Sequence, residues 1–299
     1  MKRFLLNIFM FAILVIVLLG VPQYLFDYEV HNNKTTWPYK LLNQVNKPDR
    51  FTTKLLVSGN SRGEHYLAST MEELFHGQVE NISMRGYPFN YQYYLLLNNY
   101  LRQGTHPMYI LQEVGPLCFF GNSPMPGFSF LPYINRPNTQ FLFDQNPALT
   151  PYDKFLPIKY RGNVDKLINT WKELSKPVLP EIENPYNGLI GKYPFEHDNN
   201  IINAFSSFIH ECDTLNIRLI LAISPMHTDD GIPQFEWDGF YHILDSVTAG
   251  YDIPLLDYSR LFGNDTTFFM DPVHLKHYGC EVYTRQIMHD LDSLGLIKN

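Results

Sequence analysis

Short apolar runs alternate with longer amphipathic segments along most of the chain. The runs have strand length and are bounded by turn residues, and the segments between them carry apolar residues at helical spacing. The predicted strands are Leu55–Val57, Val79–Ile82, Met108–Leu111, Arg218–Ile223 and Pro254–Leu256, and the predicted helices are Glu64–Phe75, Tyr91–Leu101, Asn199–Leu215, Phe235–Val247 and Tyr278–Leu294. This alternation predicts an α/β fold in which helices cover both faces of a parallel sheet. Sites in such folds form at the carboxyl ends of the strands.

A longer apolar run, from Phe4 to Val21, stands apart from this pattern at the N-terminus. It is long enough to cross a bilayer. Basic residues before it and acidic residues after it place the N-terminus in the cytoplasm and the rest of the chain outside; they are Lys2, Arg3, Asp27 and Glu29. The sequence therefore predicts a membrane anchor over residues 1–25, with the lipid bilayer as its partner. A cleaved signal peptide and a buried core helix are the alternatives, although no A-x-A-like cleavage site follows the run.

The remaining chain divides into a stalk and one large domain. Residues 26–50 are polar and carry two prolines, which is typical of a stalk, and the domain is predicted over residues 51–299. Within the domain, residues 118–163 interrupt the alternation with a stretch rich in Pro, Phe, Tyr and Asn. A loop of this length is usually functional or disordered, and its aromatic content argues against disorder. We expect an insertion that either packs over the site or covers an edge of the sheet.

Composition and charge exclude several classes of protein. Of the 299 residues, 45% are hydrophobic and 15% aromatic, which suffices for one large core. The formal net charge is −7 and no long basic run occurs, so no nucleic acid partner is predicted. Three cysteines at spacings that match no zinc motif predict buried thiols rather than a metal site or a full set of disulfides. No cofactor is predicted.

The first predicted strand leads directly into the polar stretch S-G-N-S-R-G-E-H, which places Ser61 at its carboxyl end. Serine at the junction of a strand and a helix is a favoured helix cap. The same junction also places backbone N–H groups beside the hydroxyl, as a nucleophile requires. The local pattern is compatible with both interpretations.

A second polar stretch, F-M-D-P-V-H-L-K-H-Y-G, precedes the last predicted helix. Asp271 stands three residues before His274 and can accept a hydrogen bond from its Nδ1, which leaves Nε2 facing a nucleophile. Asp271 is equally well placed as a turn former before Pro272. Metal binding by Asp271, His274 and His277 is a weaker alternative, because no further acidic ligand is close in sequence.

Together, Gly59-Asn60-Ser61 and Asp271-Pro272-Val273-His274 resemble the first and last motif blocks of the SGNH (GDSL-type) hydrolase superfamily. The resemblance spans roughly residue 51 to the C-terminus and implies a flavodoxin-like three-layer α/β/α sandwich. It also implies that Ser61 is the nucleophile, His274 the general base and Asp271 the residue that orients it.

The same resemblance implies an oxyanion hole formed by the backbone N–H groups of Ser61 and Gly86. Two positions depart from the family pattern. Asn60 replaces the usual Asp, and the third block, G-x-N-D, is replaced by G-P-L-C at residues 115–118. The side-chain amide donor of that block is therefore absent, and Gln112 is the predicted substitute. Its neighbour Glu113 would repel an oxyanion if it faced the site.

Two functions from different classes follow from this resemblance. The first is an extracytoplasmic serine esterase or O-acyltransferase that acts on acyl groups of a cell-envelope glycan or a lipid-linked sugar. Membrane-anchored members similar to the D-alanyl transfer protein of teichoic acid synthesis imply such a substrate, and they make a membrane acyltransferase a candidate partner. The second is a catalytically weak or inactive SGNH scaffold that serves as a membrane-anchored binding or assembly protein, which the absent amide of the third block favours.

Overall fold

The computed structural model describes residues 1–33, 39–45, 53–101, 106–120, 132, 160, 164–174, 185–188, 191–193 and 195–297. Two compact units are present. One comprises Met1–Lys47 and Pro124–Pro180, and the other comprises Pro48–Ser123 and Glu181–Asn299. All the motif residues of the sequence analysis lie in the second unit.

A five-stranded sheet organises the second unit. Its strands are β1 (Leu55–Ser58), β2 (Val79–Asn81), β3 (Tyr109–Val114), β4 (Arg218–Ile223) and β5 (Leu255–Asp257). They lie in the order β2-β1-β3-β4-β5, and every neighbouring pair is parallel. This is the flavodoxin-like doubly wound order. The structure therefore confirms the predicted α/β fold with a parallel sheet, and all five predicted strands are present.

Seven helical elements accompany these strands in the described part of the second unit, and two of them are single turns of 3₁₀-helix. The 3₁₀ turns are Gly63–His65 and Ile232–Gln234. Four of the others are the α-helices α3 (Ala68–Phe75), α7 (Asn199–Thr214), α8 (Trp237–Thr248) and α9 (His277–Ser293). The remaining one is a continuous helical segment made of α4 (Phe89–Gln92), a π-helix (Tyr93–Leu97) and α5 (Asn98–Leu101). The predicted helix over residues 64–75 is thus divided, with the 3₁₀ turn directly after Ser61.

Both faces of the sheet are buried, as the alternation of strand side chains requires. Leu55, Val57 and Leu111 pack on one face against α3 and α9 in a single hydrophobic cluster. Their neighbours Leu56 and Ile110 are also fully buried and point to the opposite face. Phenylalanine rings pack together on that side. Phe205 of α7 meets Phe89 and Phe119 edge to face, and Phe119 meets Phe240 of α8 in a tilted contact.

A two-stranded antiparallel ribbon precedes the last helix and was not predicted. It consists of β6 (Phe269–Asp271) and β7 (His274–Leu275), and it pairs Asp271 with His274. The strands are too short for a periodicity signal, since each has two or three residues. The ribbon fixes the spacing between the two polar residues of the second motif.

The first unit contains α1 (Lys2–Asn32), α2 (Tyr39–Val45) and α6 (Val164–Leu174), and α1 packs against both of the others. The apolar part of α1 is long and apolar enough to span a membrane, and only 6% of it is buried. The segment expected as a stalk contains the end of α1 and all of α2. Of the insertion expected at residues 118–163, most lies outside the described residues.

Candidate active site

Ser61 sits in a turn at the carboxyl end of β1. Its hydroxyl caps no helix, because Arg62 occupies the cap position of the following 3₁₀ turn without a side-chain cap bond. Asn60 shapes the turn instead: its Oδ1 accepts the N–H of Arg62 at 2.9 Å. Asp carries the same oxygen, so Asn meets this local requirement equally well. The close approach of β3 explains Gly59, where a Cβ would lie 2.6 Å from the Cβ of Glu113.

Asp271 and His274 face each other across the β6–β7 ribbon. Asp271 acts as a turn former, since its Oδ1 accepts the N–H groups of Val273 and His274, both at 2.9 Å. Its two carboxylate oxygens also lie 3.0 and 2.8 Å from Nδ1 of His274. The two sequence interpretations of this residue are therefore compatible, because the turn aims the carboxylate at the imidazole.

The imidazole of His274 joins the two motifs. Its Nε2 lies 2.8 Å from Oγ of Ser61, although the two residues are 213 positions apart in the chain. With Nδ1–H directed at Asp271, Nε2 is the acceptor in the neutral ring. Ser61, His274 and Asp271 thus form one continuous hydrogen-bonded chain, in the arrangement that lets a histidine remove the proton of a serine.

The environment favours an ionised Asp271. Burial by itself raises the pKa of this carboxyl, but the hydrogen bond and charge of His274 and the N–H groups of Val273 and His274 outweigh it. The net result is a pKa below the ordinary value. Asp271 therefore stays charged at neutral pH, and its charge would stabilise a protonated His274.

A buried ion pair lies directly behind the serine turn. Nη2 of Arg62 is 2.8 Å from Oε1 of Glu113, and the two side chains are 3% and 0% exposed. Burial holds the pKa of Glu113 above the ordinary value, and the charge of Arg62, the N–H of Asn60 and the charge of His274 offset that rise only in part. Gly115 leaves room for the guanidinium, since a Cβ there would lie 1.8 Å from Nη2. The negative charge that the sequence placed near the oxyanion site is thus paired with Arg62.

His65 is a further member of the site that the sequence analysis missed. Its ring is buried and meets the ring of His274 edge to face, with centroids 6.0 Å apart. Its Nε2 accepts the backbone N–H of Leu275 at 3.2 Å, and Thr284 donates from Oγ1 to its carbonyl, also at 3.2 Å. Burial is the main cause that holds the pKa of His65 well below the ordinary value, so the ring is neutral. It thereby ties the residue after His274 to the segment after Ser61.

The signal for these supporting residues was present in the sequence. Arg62 and His65 belong to the same polar stretch as Ser61, and an uninterrupted run of polar residues after a buried strand is more than a cap needs. What the sequence alone lacked was the partner of each, since Glu113 and Leu275 come from distant segments that only the fold brings near.

Gly86 and Gln112, the other predicted oxyanion residues, make no hydrogen bond to Ser61 in the described part of the chain. Gly86 lies exposed in a turn closed by the bond from Tyr87 N to Met84 O, and its φ of 74° explains the glycine. Gln112 is buried, and its Nε2 donates to the carbonyl of Glu113 at 2.8 Å. The roles of both residues in an oxyanion hole stay predictions.

A small recess adjoins the serine turn on the side of Gln112. It is bounded by Asn60, Tyr87, Phe89, Gln92, Gln112, Glu113, Leu117 and Cys118. The carbonyl oxygens of the two glutamine side chains have no hydrogen-bond partner among the described residues.

As for a metal, no cluster of three or more His, Cys, Asp or Glu side chains that could hold one occurs in the described ranges.

Comparison with known proteins finds similar folds at low identity. No family model and no curated protein matches the chain. A solved structure of a candidate platelet activating factor from Streptococcus pneumonia is 13% identical, covers 94% of this chain and 98% of its own, and has a TM-score of 0.44. A candidate lipolytic protein of the G-D-S-L family from Desulfitobacterium hafniense is 10% identical over 79% of this chain and 99% of its own, with a TM-score of 0.40.

A candidate acylhydrolase from Bacteroides fragilis is a third such structure, 12% identical over 86% of this chain and 96% of its own, with a TM-score of 0.41. The names of these neighbours describe lipolytic and acylhydrolase proteins. Because the identities and TM-scores are this low, what can be said about the chemistry of this chain depends on its own residues.

Proposed function

We propose that this chain is a serine esterase or O-acyltransferase in which Ser61 is the nucleophile. The observation that carries the proposal is the continuous chain of hydrogen bonds from Ser61 through His274 to Asp271. Such a chain, at the carboxyl ends of parallel strands and partly open to solvent, is the arrangement that acyl transfer requires.

The reaction would proceed in two steps. Oγ of Ser61 attacks the acyl carbon while Nε2 of His274 takes its proton, and the ester C–O bond breaks as His274 returns that proton to the leaving alcohol. Water or a sugar hydroxyl then gives its proton to His274 and attacks the acyl-Ser61 ester, which releases the acyl group and restores the serine. Asp271, ionised throughout, stabilises the imidazolium in both steps.

The proposed substrate is an acyl group on a cell-envelope glycan or a lipid-linked sugar. The side chains of His274 and Asp271 are 29% and 31% exposed, so the reacting groups are open to solvent and to a substrate. The N-terminal helix supports a position beside such substrates, with the second unit on the extracytoplasmic side and a membrane acyltransferase as candidate partner.

The test of the triad is single-turnover acylation by p-nitrophenyl acetate, followed by mass spectrometry of the acylated peptide. We expect one acetyl group on Ser61 in the wild type and none in Ser61→Ala at matched thermal stability. Ser207→Ala, in an exposed position on α7, is the matched control and should be acylated normally. Equal acetyl incorporation in the wild type and Ser61→Ala would show that Ser61 is not the nucleophile.

The test of the anchor is deletion of Met1–Tyr24. The second unit begins well after this segment, so the shortened chain should be soluble and folded, whereas the full chain should need detergent for extraction. An insoluble or unfolded product would mean that the apolar run belongs to the core of the protein.

A binding or assembly protein is the second candidate function. The specific observation in its favour is the position of Gln112, whose Nε2 donates to the backbone instead of facing Ser61. A scaffold of this kind would bind an acylated glycan without releasing an acyl group. Retained glycan binding in Ser61→Ala, together with an unlabelled wild type, would favour this function over the enzyme.

A further inference from the structure

The end of α1 is enclosed by residues from the region between β3 and α7. Along α1 the residues from Phe4 to Leu19 are largely exposed, whereas Phe26 and Val30 are fully buried. The ring of Phe26 contacts Tyr160 edge to face at 5.3 Å and Trp171 of α6 at 6.1 Å. The hydroxyl of Tyr160 also donates to Oδ1 of Asp27. These contacts hold Tyr160 and α6 beside the C-terminal part of α1, at the position of Phe26 and Asp27.

That position can be placed relative to a bilayer. Phe26 follows Val21, the last residue of the apolar run, by five positions, which is about 8 Å along a helix. Each polar layer of a bilayer is about 5–8 Å thick outside the hydrocarbon. If the apolar run fills the hydrocarbon, the rings in contact with Phe26 lie in the headgroup layer. Of these two rings, Tyr160 is buried and Trp171 is half-buried, and Trp is enriched at this depth because one end of its ring system is apolar and the other polar.

The exposed residues of α6 include an apolar side chain and two lysines, together with Asp165 in the first turn. Leu167 is buried, whereas Ile168 is 45% exposed although it is apolar. Lys166 and Lys172 are exposed on the same short helix. Lysine side chains can lay their apolar stems along the interface and direct their charges to lipid phosphates.

We propose that α6, which packs against α1 beside the buried Tyr160, forms a second membrane contact at the headgroup layer of the bilayer that α1 crosses. This inference rests on the proposed membrane span. It assigns α6 to the lipid surface, so that the chain contacts the membrane at two places well separated in sequence.

The experiment uses the full chain in nanodiscs of phosphatidylcholine and phosphatidylglycerol. Ile168→Cys is labelled with an environment-sensitive NBD group, and the three native cysteines are buried, which directs the label to the new thiol. Leu294→Cys, at a position that is 60% exposed, is the matched control. Quenching is measured with lipids that carry a spin label near the headgroup.

The label at position 168 is expected to emit at shorter wavelength and to be quenched at least about twofold more than the label at position 294. Phe26→Ala should reduce this difference while the protein stays in the nanodisc, because α6 loses its contact with α1. Equal quenching at both positions in nanodisc-bound protein would overturn the membrane contact and leave the span intact. Failure of the full chain to enter nanodiscs would overturn the span and the contact together.

Discussion

The two halves of the candidate site differ in how completely they are assembled. In the proton-transfer half, Ser61, His274 and Asp271 are joined by hydrogen bonds of 2.8 to 3.0 Å. In the oxyanion half, which comprises the residues predicted to bind the oxyanion, Gly86 lies in an exposed turn and the amide of Gln112 donates to the backbone carbonyl of Glu113. The comparison teaches that the proposed triad can be fully hydrogen-bonded while the side-chain amide proposed as an oxyanion donor is directed elsewhere.

Support from buried groups accounts for this difference. The ion pair between Arg62 and Glu113 lies behind the serine, and His65 ties the histidine loop to the serine turn. Each of these contacts joins distant segments and holds the triad in one geometry. The bond of the Gln112 amide is local instead, to the next residue, although the backbone of Gln112 pairs with β1 and β4. The bond that closes the Gly86 turn is local as well. Neither bond joins a distant segment to the serine turn.

The largest effect is expected from the triad itself. Ser61→Ala and His274→Ala should each lower single-turnover acylation by about 10⁶-fold, and the double variant should be little worse than either, because the residues act as one unit. The measurement is the acylation rate at matched thermal stability. Additive losses would show that the two residues act independently, and the contrast between the two halves of the site would then lose its basis.

A somewhat smaller loss is expected from Asp271→Asn. The amide keeps the turn but favours the wrong tautomer of His274, which elsewhere lowers the rate by about 10⁴-fold while the nucleophile is retained. Asp265→Asn, on an exposed loop, is the control. Acylation by Asp271→Asn at the wild-type rate would show that the hydrogen bond to Nδ1 has no role in catalysis.

The sequence was sufficient for the sheet and for the positions of Ser61, His274 and Asp271, whose role as a triad stays a prediction, but not for the residues that support them. Strand runs such as Arg218–Ile223 and the motifs around Ser61 and His274 are local patterns, which a sequence displays directly. The partners of Arg62 and His65 depend on the order of the strands and on the β6–β7 ribbon. Gln112 was predicted from its position at a strand end, whereas the direction of its amide depends on a backbone carbonyl that no pattern reveals.

The buried ion pair should have the next largest effect, on stability. Glu113→Gln leaves the Arg62 guanidinium buried without a countercharge, which costs about 3–5 kcal/mol in the free energy of unfolding. The double variant Arg62→Met/Glu113→Leu should recover much of that loss. Glu64→Gln, which breaks a more exposed pair with Arg85, should cost less than about 1 kcal/mol. Urea unfolding measures the free energy of unfolding of all three variants. If Glu113→Gln and Glu64→Gln lost equal amounts, the buried ion pair would not support the serine turn as proposed.

A smaller and pH-dependent effect is expected from His65. His65→Leu leaves the N–H of Leu275 without its acceptor and should cost about 1–3 kcal/mol, whereas His65→Gln keeps an acceptor near the position of Nε2 and should cost less. Because burial lowers the pKa of His65 well below 6.5, its contribution is complete above pH 6.5 and is lost as the pH falls toward the folded value.

The pH dependence of the free energy of unfolding distinguishes a buried, neutral His65 from a solvent-exposed histidine. Between pH 7.5 and 5.5 the wild type should lose about 1 kcal/mol more of its free energy of unfolding than His65→Gln does, since only the unfolded wild type gains a proton at this position. His289→Gln, at an exposed position, should follow the wild type. If His65→Gln also followed the wild type, the ring would be charged or solvated and could not link the two motifs as described.

The smallest effect is expected from Gln112, and it tests the comparison most directly. If the amide keeps its bond to the carbonyl of Glu113 during the reaction, Gln112→Met removes no oxyanion donor and should change the acylation rate by less than about threefold, whereas losing a true donor costs about 10²–10³-fold. Gln286→Met, which removes an exposed side chain bonded to Asp290, is the matched control. A loss of a hundredfold or more in Gln112→Met alone would show that the amide turns toward Ser61 when substrate binds. The oxyanion half of the site would then be assembled by the substrate, and the chain would be an enzyme rather than a scaffold.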